Sequence, residues 1–265
     1  MSAAREKGAS SWLTALPLAE HHFILSKSDF RDALHVRYGW HPPRLPSQCV
    51  CGRDFSVDHS FSCSHGGYLG LCHNEVRDLL GHLLRDTCVN TSLEPVLQSL
   101  DGEVLPSSTN VAPEARLDIR ANGFWSEDRH CCAFFNVRIF HPHALSYRSM
   151  DLAQLYRQQE RSKRREYEQR VRELERGTFT SSVFSSSGGA APAASAFLKR
   201  LASLLSQKMG ASYSSTIGWL RCRLSFALLR CSILCLCGCR SKGLHEIAEL
   251  SQPDVAASDA RPDCD

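Results

Sequence analysis

Residues 116–138 read RLDIRANGFWSEDRHCCAFFNVR. Two short runs, Leu117–Arg120 and Ala133–Arg138, carry the alternation that marks a half-buried strand. Gly123, Trp125 and a charged loop lie between them. Each run sets one short polar side chain among apolar neighbours, Asp118 in the first and Asn136 in the second. Side chains two apart on a strand share a face, so Asn136 and Arg138 point the same way. Two readings are open. The strands could converge on a metal-dependent phosphodiester site with one ligand altered, or they form an ordinary hairpin whose polar residues line its wet face.

Outward from this stretch the pattern alternates between helix and strand. A helix is expected near residues 28–38, capped by Ser28, with Phe30, Ala33, Leu34 and Tyr38 on its apolar face. His41-Pro42-Pro43 and Pro46 break the chain. Val76, Leu79, Leu80, Leu83 and Leu84 share one face of a helix over 73–87, and 91–97 reads as a short strand ending near Pro95. A loop over 100–114 precedes the strands at 115–121 and 132–140. A charged helix over 151–176 stops at Gly177. A strand near 179–184, a Gly/Ser/Ala loop over 185–194 and helices over 195–208 and 215–238 complete the pattern. From His73 onward the order is α/β: a small mixed sheet flanked by helices, preceded by a small metal motif. The expected organisation is an N-terminal segment over 1–45, a metal motif over 46–70, the larger unit over 71–240 and a patternless, disordered tail over 241–265.

The 265 residues suit one medium domain with appendages, and 43% hydrophobic content allows a packed core. A net charge of only +3 does not by itself announce nucleic acid, so the local clustering of basic residues matters more. The opening MSAAREKGASSWLTALPLAE lacks a signal-peptide apolar stretch. A nuclear or cytoplasmic setting follows, in which the 13 cysteines stay reduced. Cys131-Cys132 and Cys231, Cys235, Cys237 and Cys239 sit among apolar residues and read as core thiols. Arg221, Arg223 and Arg230 interrupt the apolar stretch 217–239, which reads as a helix packed on a core; no membrane association is expected.

Cys49-Val50-Cys51, then His59 and Cys63, form C-x-C-x7-H-x3-C. Four soft or borderline ligands in so short a span suit tetrahedral zinc, and a closed set of four predicts a structural ion. His65 is a possible substitute. The segment is too polar to build its own core without such a staple. The alternative is buried cysteines beside an exposed histidine.

Metal-assisted phosphodiester cleavage needs carboxylates converging on a hard cation and a charge to steady the attacked phosphate. In order, the chain offers Glu75 on a helix, Glu94 near a strand end, Asp118, then Asn136 and Arg138. Asn136 presents only a neutral carbonyl. Arg138 stays protonated and serves charge stabilisation, not proton abstraction.

These elements in this order resemble the C-terminal region of non-LTR retrotransposon polyproteins: Cys49, Cys51, His59 and Cys63, then His73-Asn74-Glu75, Glu94-Pro95, Asp101-Gly102, Arg116-Leu117-Asp118 and Phe135-Asn136-Val137-Arg138. There a reverse transcriptase is followed by a zinc motif and a restriction-like endonuclease of the PD-(D/E)XK class. Trp12–Leu18 and Leu34–Trp40 resemble the segment joining the two enzymes. The resemblance spans roughly residues 12–240. It implies a restriction-endonuclease-like fold, structural zinc on Cys49, Cys51, His59 and Cys63, and Mg²⁺-dependent nicking of DNA by Glu75, Glu94, Asp118, Asn136 and Arg138. It also implies nucleic-acid contact by His73 and Asn74, and a reverse transcriptase or its RNA template acting alongside. Four positions depart from the family pattern. Cys72 stands in an Arg place, Leu117 in a Pro place, Asn136 where relatives carry an acid, and Arg138 where they carry Lys.

The helix over 151–176 interleaves eight basic residues from Arg157 to Arg176 with five glutamates. Glu166–Arg170 and Glu168–Arg172 are expected ion pairs at helical spacing. The block Arg161, Lys163, Arg164 and Arg165 contains no acid and is the part expected to meet DNA phosphates or act as a nuclear-import patch. A fully ion-paired, solvated helix is the competing reading. His21, His22, His41, His141 and His143 lack ligand spacing, and Ser185–Gly189 lacks the lysine of a phosphate loop.

Overall fold

The two runs around Gly123 pair as neighbouring strands in the computed structural model, which describes residues 6–43, 45–65, 68–98, 115–147 and 149–238. β2 (Ile119–Asn122) lies antiparallel to β3 (Cys132–Phe140), with Ile119 opposite Phe135 and Asn122 opposite Cys132. β1 (Val89–Leu93) adds antiparallel to β2, and β4 (Thr178–Ser185) adds parallel to β3. The result is a four-stranded mixed sheet in the order β1-β2-β3-β4. A parallel neighbour needs a crossover, and α5 (Leu152–Glu173) supplies it between β3 and β4.

Alternation along β3 divides the core. Ala133, Phe135 and Val137 face α4 (Tyr68–Thr87), α6 (Pro192–Met209) and α7 (Tyr213–Gly238), meeting Val76, Leu80, Phe197, Leu201, Leu220 and Leu224. Phe134 and Phe140 face α5, where Val171, Leu155 and Tyr156 cover them. The sheet is therefore sandwiched, with three helices on one side and one on the other, which agrees with the expected α/β class.

α7 also receives the N-terminal segment. Trp12 of α1 (Ser11–Thr14), Phe23 and Ala33 of α2 (Lys27–Tyr38) share a core with Phe226, Leu229 and Ile233. Phe61, Tyr68 and Cys72 pack on Cys231, Cys235 and Leu236. Segments 1–45, 46–70 and 71–240 thus meet on one helix wherever they are described. The arginines that interrupt α7 tie this layer together. Arg223 donates to the His21 carbonyl at 3.1 Å, and Arg230 donates to the carbonyls of His22 and Ile24. Among the described residues, no helix is long and apolar enough to cross a membrane.

Several expectations need correction. Ser26, not Ser28, caps α2 by accepting from Asp29 N. Ala33 is buried on that helix, whereas Phe30 and Tyr38 stay exposed. α4 begins at Tyr68, five residues before His73, because Tyr68 and Cys72 gain burial against α7 that the local pattern does not reveal. β1 runs earlier than 91–97, since Glu94 takes a left-handed φ of 49° and ends the strand; Val96 regains one bridge, to Arg116. α6 starts at Pro192, inside the expected loop, with proline at the first turn where its missing N–H costs nothing. The 100–114 loop, Asp101-Gly102, Cys239 and the 241–265 tail lie outside the described residues.

Candidate functional site

Asp118 sits one residue before β2, where the pairing of Ile119 with Phe135 brings it across from Asn136. Asn136 Nδ2 donates to Asp118 Oδ2 at 2.8 Å, and the Val137 backbone N–H donates to the same oxygen at 2.6 Å. His73 Nε2 lies 3.0 Å from Asp118 Oδ1. The Asp118 side chain is only 15% exposed, so this carboxylate is enclosed by donors from three directions. The carboxylate fixes the Asn136 amide, because the opposite orientation would set oxygen against oxygen. Asn136 Oδ1 is consequently buried with no partner among the described residues. So is the Oγ of Ser181, its neighbour on β4.

Glu94 is tied to the same place through its backbone, whose N–H donates to the Asp118 carbonyl at 2.9 Å. Its side chain, however, pairs with the Arg77 guanidinium, which also holds Asp78 at 2.8 Å. Burial works against the charge on Arg77, but Asp78, Glu94 and Asp118 outweigh it and push its pKa above the ordinary value. His73 and Arg77 are one turn apart, the first reaching Asp118 and the second Glu94.

Glu75 does not join them. Two residues along a helix is a rotation of about 200°, which sets it on the other flank of the apolar stripe formed by Val76, Leu80 and Leu84. Glu75 is exposed, and it contributes to the field at Arg223 and Arg230 of α7. Asn74 is also exposed, and no hydrogen bond joins it to Asp118 among the described residues. Arg138 shares the Asn136 face of β3, with its side chain exposed and no hydrogen-bond partner among the described residues.

α5 contributes two groups that sequence order did not place here. The Tyr167 phenol is pushed above its ordinary range by burial, then by Glu166 and the field of Asp118. Lys163 lies on the same side, with its ammonium 5.2 Å from the Tyr167 ring centre and 2.8 Å from Glu166. Lys163 therefore differs from its neighbours Arg161, Arg164 and Arg165, which are exposed on the outer face. A spacing signal existed: Leu155, Gln159, Lys163 and Tyr167 recur every four residues.

On that outer face three glutamates take partners other than the expected ones. Glu166 takes Lys163, Glu173 takes Arg172, and Glu160 accepts from the Ala193 N–H at the start of α6. Arg170 donates to the Gln98 carbonyl. Arg157, Arg161 and Arg165, spaced one per turn, line an open concavity of about 780 Å³. With Arg164 they make no ion pair or hydrogen bond among the described residues.

The four expected metal ligands come together. The donor atoms of Cys49, Cys51, His59 and Cys63 all lie within 4.8 Å of one another. Cys49 Sγ is 3.8 Å from Cys63 Sγ, and Cys51 Sγ is 3.1 Å from His59 Nε2. Zinc–sulfur bonds of about 2.3 Å in a tetrahedron put two sulfurs about 3.8 Å apart, so the set fits a metal ion such as zinc. Local turns produce it. Gly52, at φ 83°, lets the chain reverse between Cys51 and Arg53, and the Cys49 N–H donates to the Arg53 carbonyl at 2.8 Å. Ser56 caps the single-turn α3 (Val57–Ser60), which presents His59. Burial, with the neighbouring thiols, pushes the Cys63 thiol up to about 11. A thiolate here thus calls for a cation. His65 is exposed and outside the cluster.

Beside this cluster His141 bridges three segments, meeting Asp58 Oδ1 at 2.9 Å through Nε2 and Ser186 Oγ at 2.9 Å through Nδ1. No protein-family model matches the chain, and no curated protein matches it in sequence.

Proposed function

We propose that this chain is a DNA-binding protein related to retrotransposon endonucleases, holding structural zinc and a restriction-like cleft whose Mg²⁺-dependent nicking is silenced. One observation carries the silencing. Both oxygens of Asp118 are engaged by His73, Asn136 and the Val137 N–H. Asn136 turns its amide donor, not its carbonyl, toward Asp118, and Glu94 is neutralised by Arg77. A hard cation needs converging, unprotonated oxygens. The residues present do not fit Mg²⁺ in this arrangement, so no cleavage step is assigned to them.

The binding half of the reading is supported by the unpaired arginines of α5. A helical row of guanidinium groups one turn apart gains from releasing counterions at phosphates and carries no base readout. Zinc on the Cys49–Cys63 cluster would supply a crosslink that holds this short polar segment against α4 and α7. Of the two expected compartments, nuclear and cytoplasmic, a DNA ligand favours the nuclear one. A reverse transcriptase or its RNA template remains the expected companion.

The experiment pairs duplex binding with nicking of supercoiled plasmid in Mg²⁺ or Mn²⁺. The intact chain binds duplex DNA and leaves the plasmid closed, while Asn136→Asp regains measurable nicking. Wild-type nicking that disappears in Asp118→Asn overturns the silenced reading in favour of an active endonuclease. Absence of duplex binding overturns the whole proposal.

A further inference from the structure

We infer that the C-terminal turn of α2 is a stacking platform for unpaired nucleic-acid bases, built from Tyr38 and Trp40 with the Arg37 guanidinium and the His35 imidazole beside them. The inference concerns a surface separate from both the Asp118 cleft and the α5 arginines. It takes from the preceding proposal only the class of partner.

Two large rings face solvent here. Trp40 is 57% exposed and Tyr38 45%, and they stack on each other with centres 5.0 Å apart and planes at 26°. Backbone geometry holds them there. Gly39 takes the left-handed conformation, φ 69°, that ends the helix. The Trp40 N–H then donates back to the His35 carbonyl at 2.8 Å, folding the indole over Tyr38. This hydrogen-bonded cap pre-orders the pair before any ligand arrives. The His41 carbonyl accepts from His35 Nδ1 at 2.8 Å, which holds the imidazole edge-on to the indole at 5.8 Å. Pro42 and Pro43 stiffen the outgoing chain.

The rest of α2 is committed elsewhere. Ala33 packs on α7, and Val36 packs against the cluster of Phe61, Tyr68 and Cys72. The aromatic end is therefore carried on a fixed helix, displayed outward.

Charge selects the occupant. The last turn of α2 contains His35 and Arg37 and no acid, and the Arg37 guanidinium lies 5.9 Å from the centre of the Tyr38 ring. Arg37 Nε is buried without a partner. Flat π-faces beside a guanidinium match a single strand, in which each base offers a face and each nucleotide a phosphate. A duplex keeps its bases stacked on each other and cannot offer them. An amphipathic helix would call for a groove of aliphatic side chains, whereas this surface offers two stacked rings beside a guanidinium.

The test uses the whole zinc-loaded chain and a labelled oligothymidylate of about 12 nucleotides, within the range that single-strand sites span. Tryptophan emission and label anisotropy are read together, with a duplex of equal length as comparison. The wild-type chain binds the oligonucleotide with quenched indole emission. Trp40→Ala weakens that binding at least about fivefold, the lower end of what one stacked base contributes. Trp40→Phe, which keeps a ring, stays near wild type, and duplex affinity is unchanged in both variants. Zinc content and thermal midpoint confirm that the variants fold.

Equal oligonucleotide affinity in wild type and Trp40→Ala overturns the inference. So does a Trp40→Ala loss shared equally by duplex, or a wild-type chain that ignores oligothymidylate. Self-association that disappears in Trp40→Ala, without oligonucleotide binding, also overturns it and assigns the surface to a second copy of the chain. Oligonucleotide binding through Trp40 in a chain that fails to bind duplex keeps this inference and removes the duplex reading.

Discussion

Replacing Asp118 by alanine separates a silenced cleft from a working one through the sign of a stability change. In the structure the Asp118 carboxylate is the acceptor for two buried donors, the Val137 N–H and the Asn136 amide. Asn136 is 7% exposed and Val137 less. A buried donor left without an acceptor costs about 1–3 kcal/mol, and bonds to a charged acceptor lie at the upper end. Two such donors give about 2–6 kcal/mol. The Asp118 side chain is slightly exposed, so water recovers part of this and about 3 kcal/mol is expected. For an ordered unit of this size, 1 kcal/mol shifts the midpoint by about 2–4 °C, so Asp118→Ala should melt roughly 6–12 °C lower. A cleft awaiting Mg²⁺ behaves oppositely. Its carboxylates repel one another in the metal-free state, and deleting one stabilises the protein. The measurement is thermal or urea unfolding in buffer containing zinc but no magnesium, with Asp118→Asn expected to fall between the other two. A midpoint for Asp118→Ala equal to or above wild type refutes the donor-saturated cleft.

Three further outcomes follow from other parts of the molecule. One zinc per chain is expected, with Cys63→Ser abolishing it and chelation lowering the unfolding midpoint; full stability in the metal-free chain would return Cys49, Cys51 and Cys63 to ordinary core thiols. Converting Arg157, Arg161, Arg164 and Arg165 to glutamine should reduce the salt dependence of duplex binding by up to about 3–4 in log–log slope, near 0.9 per lost phosphate contact, with the melting midpoint unchanged; an unaltered slope removes α5 from the interface. Burial depresses the His141 pKa below its ordinary value of 6.5, against the opposing pull of Asp58. Below that value the unfolded chain binds a proton that the folded chain resists, so this residue's contribution to stability falls as pH drops. His141→Asn should flatten that part of the pH profile, and an unchanged slope relative to wild type would show that His141 is not its source.

The sheet was legible where alternation was strong. β2 and β3, the crossover α5 and the apolar α7 all follow from period and length, and the metal ligands follow from spacing because a short knuckle leaves the chain few ways to arrange them. The misses share a cause: each depended on contacts far away in the chain. α4 gains its first turn from Cys231 and Cys235 on α7, which no window around residue 68 contains. β1 stops at Glu94 because that residue goes left-handed, although Pro95 hinted at a break. Glu75 is different, since the information was present. The stripe of Val76, Leu80 and Leu84 fixes the helical phase and sends Glu75 away from His73, whereas motif order alone carries no helical phase. Adjacency in sequence likewise groups Lys163 with Arg161 and Arg164, whereas its four-residue step from Gln159 to Tyr167 assigns it to the inner face.

The cleft's chemistry turns on what an amide can do that a carboxylate cannot. An acid at 136 would face Asp118 across the strands with two lone-pair-bearing oxygens and no donor. That arrangement is stable when a cation or a shared proton lies between them. Asn136 supplies the missing donor itself and makes the pairing self-sufficient, leaving its own Oδ1 as the unsatisfied atom. His73 and Arg77 reinforce the effect by occupying Asp118 Oδ1 and Glu94. An acid at 136 therefore removes only one of four donors that compete with a cation, since His73 and the Val137 N–H still hold Asp118 and Arg77 still holds Glu94. Under the silenced reading, Asn136→Asp alone recovers weak nicking at high Mg²⁺, and stronger recovery requires freeing Asp118 from His73 or Glu94 from Arg77 as well.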